Sequence, residues 1–141
     1  MTIGMSVGLV AIASLLGAAR GVAAQEPAAG PPQPAMVFFD WGKGEIRSDD
    51  AATLDKVAEA WRARPAARLR LAGHTDRSGS AAVNRASGLR RAATVRAELE
   101  KRGVPRNAIS IASFGEEQPL VATEDGVREV QNRRVVIAFE E

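Results

Sequence analysis

Short stretches along the chain alternate between hydrophobic and polar residues with a period of two. Residues 68–73 alternate arginine with leucine, a pattern typical of a strand with one buried and one exposed face. Residues 109–114 alternate in the same way, and residues 135–139 are rich in β-branched and aromatic side chains. Residues 36–39 form a short apolar run that suits a buried strand. The pattern therefore predicts four strands.

Two further stretches repeat their apolar residues at the spacing of a helix. The first has Ser48 as its predicted capping residue, carries two acidic residues in its first turn and ends before Pro65. The second covers about residues 80–102 and ends at Gly103. The predicted buried stripes are Leu54, Val57, Ala58 and Trp61 in the first helix, and Leu89, Ala92, Val95 and Leu99 in the second.

The order of these elements predicts the fold class. Strand, helix, strand, helix and strand are followed by a long loop and a last strand. Because strands separated by helices need crossover connections, the sheet should contain at least one parallel pair. We therefore predict an α+β fold, a β-α-β-α-β-β sandwich whose mixed sheet has two helices packed on one face.

An apolar segment and a proline-rich segment precede the predicted domain. Residues 1–24 are interpreted as a signal peptide, because residues 3–19 are small and apolar and residues 22–24 suit signal peptidase. No lysine or arginine precedes the apolar stretch, so an uncleaved N-terminal anchor or a misplaced start codon stays an alternative. Residues 25–35, rich in proline and alanine, predict an extended linker, which leaves residues 36–141 as the folded domain.

The composition excludes several classes of protein. The formal net charge is only +2 and the acidic residues are interspersed with the basic ones, which is unlike a nucleic-acid-binding protein. The chain has no cysteine, which excludes disulfides, thiol chemistry, cysteine metal sites and lipid attachment through an N-terminal cysteine. The single histidine, His74, makes a histidine metal site implausible. We therefore expect neither a metal nor a cofactor.

Polar residues after the second predicted strand form a candidate binding site. Asp76 follows that strand, and the next helix carries Asn84 and Arg91, which lie on one side of it because they are seven residues apart. Gly88 lies between them and leaves room for a ligand or for close packing on the sheet. An acid and an arginine aimed at one pocket can bind a zwitterion. The alternative is that Asp76 caps a turn, or pairs with Arg91 for structure alone.

Several short motifs occur in an order and at a spacing typical of one family. They are Val37-Phe38-Phe39-Asp40, Gly73-His74-Thr75-Asp76, Gly79, Asn84, Arg91-Ala92, Gly103-Val104, Phe114-Gly115-Glu116, Pro119 and Asn132-Arg133-Arg134-Val135. Over about residues 36–141 the chain thereby resembles the OmpA-like, peptidoglycan-binding family. That family includes the C-terminal domain of outer-membrane protein A, the peptidoglycan-associated lipoprotein and flagellar stator proteins.

The resemblance implies a non-catalytic protein that binds cell-wall peptidoglycan in the periplasm through the diaminopimelate of the stem peptide. Asp76 is similar to the family's ammonium-binding acid, and Arg91 is similar to its carboxylate-binding arginine. The positions that line, support or flank the same pocket are matched by Thr75, Asn84, Arg133 and Asp40. Residues of these last types serve equally well in turns and caps. The implied location is the periplasm, at the cell wall or the outer membrane, or the inner membrane if the N-terminal segment stays uncleaved.

Three positions depart from the family pattern. Val83 replaces a frequent tyrosine, Ser87-Gly88 replaces a Leu-Ser pair, and Gly42 replaces a polar residue that some relatives have. These differences bear on ligand affinity more than on the fold. They favour one alternative, an interaction module for another envelope protein with weak or no peptidoglycan binding, since a fold does not fix a function.

Catalysis would require acids and bases in paired roles. Asp40, His74, Asp76 and Glu116 are the candidates, but neither a nucleophile nor a metal site accompanies them in the sequence. We therefore predict that the protein is not an enzyme. The expected partner is the peptidoglycan stem peptide, with an envelope protein as a further candidate. We expect no nucleic acid, and neither a β-barrel nor a lipid anchor within the chain.

Overall fold

The computed structural model describes residues 30–141. Its elements are β1 (Ala35–Phe38), α1 (Ser48–Arg62), β2 (Arg68–His74), α2 (Ala81–Lys101), β3 (Ile109–Gly115) and β4 (Arg134–Glu140), with short 3₁₀ turns at Arg106–Ala108 and Val130–Asn132. The predicted α+β order is confirmed. The predicted signal peptide, residues 1–24, and the first part of the predicted linker, residues 25–29, lie outside the described residues. No helix within residues 30–141 is long and apolar enough to cross a membrane.

The four strands form one mixed sheet in the order β1-β4-β2-β3. β2 pairs in parallel with β3, which confirms the predicted parallel pair, and β4 runs antiparallel to both β1 and β2. β2 continues one residue further than predicted, because His74 still pairs with Arg134 across the strands. The turn after β2 therefore begins at Thr75.

The period of two in the strands separates a helix-facing side of the sheet from an open side. Leu69 and Leu71 of β2 are fully buried against the helices, whereas Arg68 and Arg70 between them are exposed. The core lies between the sheet and both helices and contains Val37, Phe39, Leu54, Val57, Ala58, Leu69, Leu71, Ala92, Val95, Leu99, Val104, Ile109, Val135 and Ile137. Each large apolar side chain buried there stabilises the fold by about 1.5–3 kcal/mol.

The buried side of α2 differs from the predicted stripe at Leu89, which is 45% exposed. Gly88 is buried instead, and a Cβ added to Gly73 of β2 would lie only 1.9 Å from the Gly88 carbonyl oxygen. Helix and strand backbones therefore touch at these two glycines. This contact rotates α2 so that Leu89 faces solvent, while the polar residues Asn84 and Arg91 turn inward.

The start of α1 is fixed by a contact with the sheet rather than by a side-chain cap. The predicted capping role of Ser48 is wrong, because Ser48 is the first residue of the helix itself. The residue before it, Arg47, occupies the cap position without a side-chain capping hydrogen bond. Asp50 in the first turn accepts a hydrogen bond of 3.1 Å from the backbone N–H of Phe38. In α2, by contrast, the Ser80 hydroxyl caps the helix. Both helices therefore start at the same end of the sheet, where the loops that follow β1 and β2 lie.

Candidate ligand pocket

A polar cavity of about 190 Å³ opens where β2 ends. It lies between the start of α2 and the loops that follow β1 and precede β4. Its lining residues are Trp41, Gly42, Thr75, Asp76, Ser78, Gly79, Val83, Asn84, Ser87, Arg91 and Arg133. Five of the six predicted site residues, all except Asp40, are brought together in this lining.

Asp76 is 3% exposed, and its carboxylate accepts four hydrogen bonds. Oδ1 accepts from the backbone N–H of Ser78 at 3.1 Å and from its hydroxyl at 2.6 Å. Oδ2 accepts from the backbone N–H of Glu129 at 3.2 Å and from Nη1 of Arg133 at 2.7 Å. Burial acts to raise the pKa of Asp76, but the hydrogen bonds outweigh it and hold the pKa below the usual value. The carboxylate is therefore ionised.

Arg133, which directly precedes β4, is the cation paired with Asp76. Besides the bond to Asp76, its Nε donates to the carbonyl oxygen of Phe39 at 3.0 Å, and its own carbonyl oxygen accepts from the Phe39 N–H at 2.9 Å. The side chain is held at both ends of its planar group and is largely buried. The proposed structural pairing of Asp76 with Arg91 is corrected by this geometry, while the turn-capping role of Asp76 is confirmed by its bonds to Ser78.

Arg91 reaches into the cavity from the middle of α2 and is 5% exposed. Its Nε and Nη2 donate to the Lys43 carbonyl oxygen at 3.3 and 3.2 Å, and its guanidinium carbon lies 5.3 Å from the centre of the Phe39 ring. Burial, and then the positive charge of Arg133, lower the pKa of Arg91 below its usual range, while Asp76 opposes this shift. Among the described residues Nη1 of Arg91 makes no hydrogen bond, which leaves a donor for a ligand.

Asn84 and Thr75 have different roles in the lining. The Asn84 amide donates to the Gly79 carbonyl oxygen at 3.0 Å and to Glu116 Oε2 at 3.4 Å, so it braces the loop before α2. Thr75 is anchored by its backbone N–H, which donates to the Gly115 carbonyl oxygen at 2.9 Å. Its hydroxyl is buried without a partner among the described residues. An unsatisfied buried hydroxyl at a cavity wall is a natural contact for a polar ligand.

Asp40 lies apart from the other predicted site residues. Its side chain is 59% exposed, its nearest cationic partner is Arg47 Nε at 3.9 Å, and it is not part of the cavity lining. The backbone of Asp40 thus lies next to the pocket, as expected, but its side chain points to solvent and does not line the cavity. The neighbouring Trp41 takes the place at the cavity wall.

Two residues of the site, Trp41 and Ser78, were not predicted from the sequence. The Trp41 indole N–H donates to the Ser78 hydroxyl at 3.2 Å, and that hydroxyl donates to Asp76. The guanidinium carbon of Arg128 lies 3.4 Å from the centre of the Trp41 ring. The spacing Asp-x-Ser is typical of an Asx turn, and it is the signal by which Ser78 could have been found. No periodic pattern marks an exposed tryptophan in a loop.

The electrostatics of the cavity favour a ligand that carries both signs of charge. Two guanidinium groups and one carboxylate line it, so the empty pocket has an excess of positive charge. Among residues 30–141, Nη1 of Arg91 and the hydroxyl of Thr75 have no hydrogen-bond partner. Within residues 30–141 no cluster of histidine, cysteine or acidic residues is placed to hold a metal ion. The arrangement of charges and free donors is suited to binding a zwitterionic ligand.

Known proteins resemble this chain in sequence. The OmpA family model matches residues 38–133. A peptidoglycan-associated lipoprotein of Rhizobium meliloti (strain 1021) is 42% identical over 101 residues, which cover 71% of this chain and 57% of that protein. One from Legionella pneumophila is 35% identical over 134 residues, covering 92% of this chain and 76% of the relative. An outer membrane protein of Gluconacetobacter diazotrophicus is 37% identical over 72% of this chain, but only 29% of its own length is matched.

A solved structure matches the fold as well. The crystal structure of the peptidoglycan-associated lipoprotein from Burkholderia pseudomallei superimposes with a TM-score of 0.70 at 28% identity, covering 74% of this chain and 89% of that one. The resemblance stated from the sequence motifs is thereby confirmed. The chain nevertheless spans less than two thirds of the length of the Rhizobium and Gluconacetobacter relatives.

Proposed function

The chain belongs to the OmpA family, and from this we propose that it is a non-catalytic protein that attaches to cell-wall peptidoglycan in the periplasm. The names of its relatives from Rhizobium meliloti and Legionella pneumophila, both peptidoglycan-associated lipoproteins, support this role. The site residues support it too, because their charges are held by hydrogen bonds in fixed positions. Catalysis would instead require a group free to exchange protons or attack a substrate.

The ligand proposed for the cavity is the diaminopimelate of the peptidoglycan stem peptide. One observation carries this proposal: Asp76 and Arg91 are both nearly buried and line the same cavity, and Nη1 of Arg91 has no partner there among residues 30–141. The free end of diaminopimelate is a zwitterion. Its carboxylate would accept hydrogen bonds from Arg91, and its ammonium would lie against Asp76.

Binding of the ammonium requires a rearrangement at Asp76. A carboxylate has about four acceptor positions, and all four of Asp76 are occupied by protein donors. Three of these donors are backbone groups or the buried Arg133 and cannot leave without moving the main chain or burying an unpaired charge. The Ser78 hydroxyl can rotate away at little cost. We infer that the ligand ammonium replaces the Ser78 hydroxyl on Oδ1.

Co-sedimentation of the purified protein with purified sacculi tests both the attachment to peptidoglycan and the diaminopimelate pocket. The native protein should sediment with the sacculi, and Arg91→Met and Asp76→Asn should each reduce the bound fraction at least about tenfold, because each removes one charge-assisted contact. Arg85→Ala is the matched control, since Arg85 lies on the same helix but is exposed and paired with Glu117. Circular dichroism must show that every variant is folded.

The experiment separates failure of the peptidoglycan attachment from failure of the diaminopimelate pocket. Native protein left in the supernatant would overturn the attachment to peptidoglycan. Native sedimentation that neither Arg91→Met nor Asp76→Asn changes would overturn the diaminopimelate pocket alone, and would favour attachment through another surface or another envelope protein.

A further inference from the structure

The face of the sheet turned away from the helices carries a second concave region, of about 340 Å³. Its floor is apolar and made of small side chains, among them Ala72 of β2 and Val136 and Ala138 of β4. Phe114 of β3 forms one wall. This region lies on the opposite side of the sheet from the core, because residues 72 and 136 alternate with the helix-facing residues 71 and 135.

Arg134 projects into this region as a buried cation with almost no partners. It is 6% exposed, and among the described residues its one hydrogen bond runs from Nη2 to the Gln118 carbonyl oxygen at 3.2 Å. Nε and Nη1 are buried without a partner, and no acidic side chain within residues 30–141 forms an ion pair with Arg134. Burial of these donors lowers the pKa of Arg134. Leaving charged donors unsatisfied is unfavourable, so the arrangement calls for an acceptor.

His74 lies directly opposite Arg134 in the strand register and adds a third unsatisfied group. It is 4% exposed, its ring stacks on Phe114 with centres 5.4 Å apart, and its Nδ1 has no partner among the described residues. Burial, followed by the charge of Arg134, lowers the pKa of His74 to about 4, so the ring is neutral at pH 7. A neutral imidazole can donate a hydrogen bond to an anion.

The other charged groups on this face leave the region around Arg134 positive. Arg70 of β2 also lines this region and pairs with Glu140 at 3.8 Å, whereas Arg68 lies beyond the region on the same face. β1 and β3 contribute no ionisable side chain to this face. Among residues 30–141, an anion would therefore meet two neighbouring groups, Arg134 and His74, while the acid on this face, Glu140, is paired with Arg70.

We propose that this outer face binds a carboxylate with a small aliphatic body, held by Nε and Nη1 of Arg134 and by Nδ1 of His74. The aliphatic body would lie on the floor formed by Ala72 and Val136. Since Nε and Nη1 are covered in the unliganded protein, the guanidinium must turn toward the cavity and release the Gln118 carbonyl oxygen. The site is independent of the pocket that contains Asp76 and Arg91.

Nuclear magnetic resonance of the purified protein provides a direct test, because the chain has one histidine and its imidazole signal needs no further assignment. Acetate, isobutyrate and N-acetyl-alanine are titrated at constant ionic strength, with chloride as the control anion. We expect a saturable shift of the His74 and Arg134 Nε–H signals and a rise in the pKa of His74 from about 4, since the bound anion offsets the charge of Arg134. Chloride should produce neither effect.

The same titration distinguishes the sources of the carboxylate. Isobutyrate should bind about 3- to 10-fold more tightly than acetate, because its two additional methyl groups are removed from water. Tighter binding of N-acetyl-alanine than of isobutyrate would identify a peptide chain end as the ligand, and the reverse order would identify a free carboxylate. Shifts that never saturate, or that chloride reproduces, would overturn the site.

Two variants test the role of Arg134. Arg134→Gln should abolish the saturable shift, whereas Arg68→Gln removes the same charge from the same face and should retain it. If Arg134→Gln does not fold, Ala72→Glu replaces it, because Ala72 lies diagonally across from Arg134 and a glutamate there supplies the missing carboxylate. Ala72→Glu should raise the melting temperature above that of Ala72→Gln and block isobutyrate. Equal melting temperatures with unchanged isobutyrate binding would contradict the proposal.

Discussion

Arg133 and Asp76 are separated by 57 positions in the sequence, yet Nη1 of the arginine lies 2.7 Å from Oδ2 of the aspartate in a buried setting. The pair joins the loop that follows β2 to the residue that precedes β4. Because Arg133 also bonds the Phe39 main chain, three loops at one end of the sheet depend on it. The candidate pocket is therefore part of the structural framework rather than an addition to its surface.

This dependence predicts strong coupling between Arg133 and Asp76. Arg133→Gln and Asp76→Asn should each reduce the free energy of unfolding by about 3–5 kcal/mol, since each leaves a buried charge without its partner. The double variant should lose clearly less than the sum of the two single losses. Urea unfolding followed by circular dichroism measures all three. Additive losses, within about 0.5 kcal/mol, would show that the two residues act independently.

The buried His74 predicts a dependence of stability on pH. Its pKa is about 4 in the folded protein and 6.5 in the unfolded chain, so the unfolded state binds the proton first as the pH falls. The stabilisation is therefore complete above pH 6.5 and is lost as the pH falls toward 4. Between pH 7.5 and 5 the native protein should lose about 2 kcal/mol of unfolding free energy.

His74→Phe is the variant that isolates this effect, because it keeps the ring against Phe114 and removes the titrating group. Its unfolding free energy should change much less over the same pH range, measured by urea unfolding in a buffer free of carboxylates. A parallel decline in both proteins would assign the pH dependence to other groups.

Removal of the Ser78 hydroxyl should increase the affinity for the proposed ligand. Ser78→Ala vacates the acceptor position on Asp76 that the proposed ammonium must take, while the Ser78 backbone bond stays. A stem peptide containing diaminopimelate should bind about 2- to 12-fold more tightly, which corresponds to a net cost of about 0.5–1.5 kcal/mol for exchanging the hydroxyl hydrogen bond, a cost that the variant no longer has. Isothermal titration calorimetry measures the change. Ser110→Ala, on the open face of β3, is the control, and weaker binding by Ser78→Ala would contradict replacement of the hydroxyl.

The contact between Gly73 and Gly88 predicts that neither tolerates a side chain. A Cβ at Gly73 would lie 1.9 Å from a backbone oxygen, and one at Gly88 would lie 2.4 Å from Ser113 Oγ. Gly88→Ala should lose about 1–3 kcal/mol in spite of alanine's better helix propensity, and Gly73→Ala should lose more because backbone must move. Thermal unfolding checks both. Gly44→Ala, where a Cβ meets open space, should be close to neutral.

The parts of the fold that local patterns determine were predictable. The alternation of arginine and leucine placed β2, and the paired stop signals placed the end of α2 within a residue. Leu89 was misplaced because helical periodicity alone does not reveal a backbone contact such as the one at Gly88. In the site, Asp76 and Arg91 follow from one strand and one helix, so their approach to a common cavity could be inferred from spacing.

The partners of those two residues could not be inferred in the same way. Arg133 reaches Asp76 only because β4 pairs with β2, and Arg91 bonds a loop carbonyl oxygen at Lys43. Both contacts depend on tertiary geometry that no local period encodes. The same holds for Asp40, whose position after β1 gave no indication that its side chain points to solvent while Trp41 lines the cavity.

Because β4 lies inside the sheet, the chain can bind the proposed ligand only after this last strand has inserted. β4 comes last among the elements in sequence yet separates β1 from β2, and the residue just before it is Arg133. Until β4 inserts, β1 has no strand neighbour and Asp76 has no cation. Such long-range pairing forms later than local helical turns during folding. A partly folded chain can therefore possess both helices and still have no pocket. Binding of a ligand thus shows that β4 has inserted between β1 and β2.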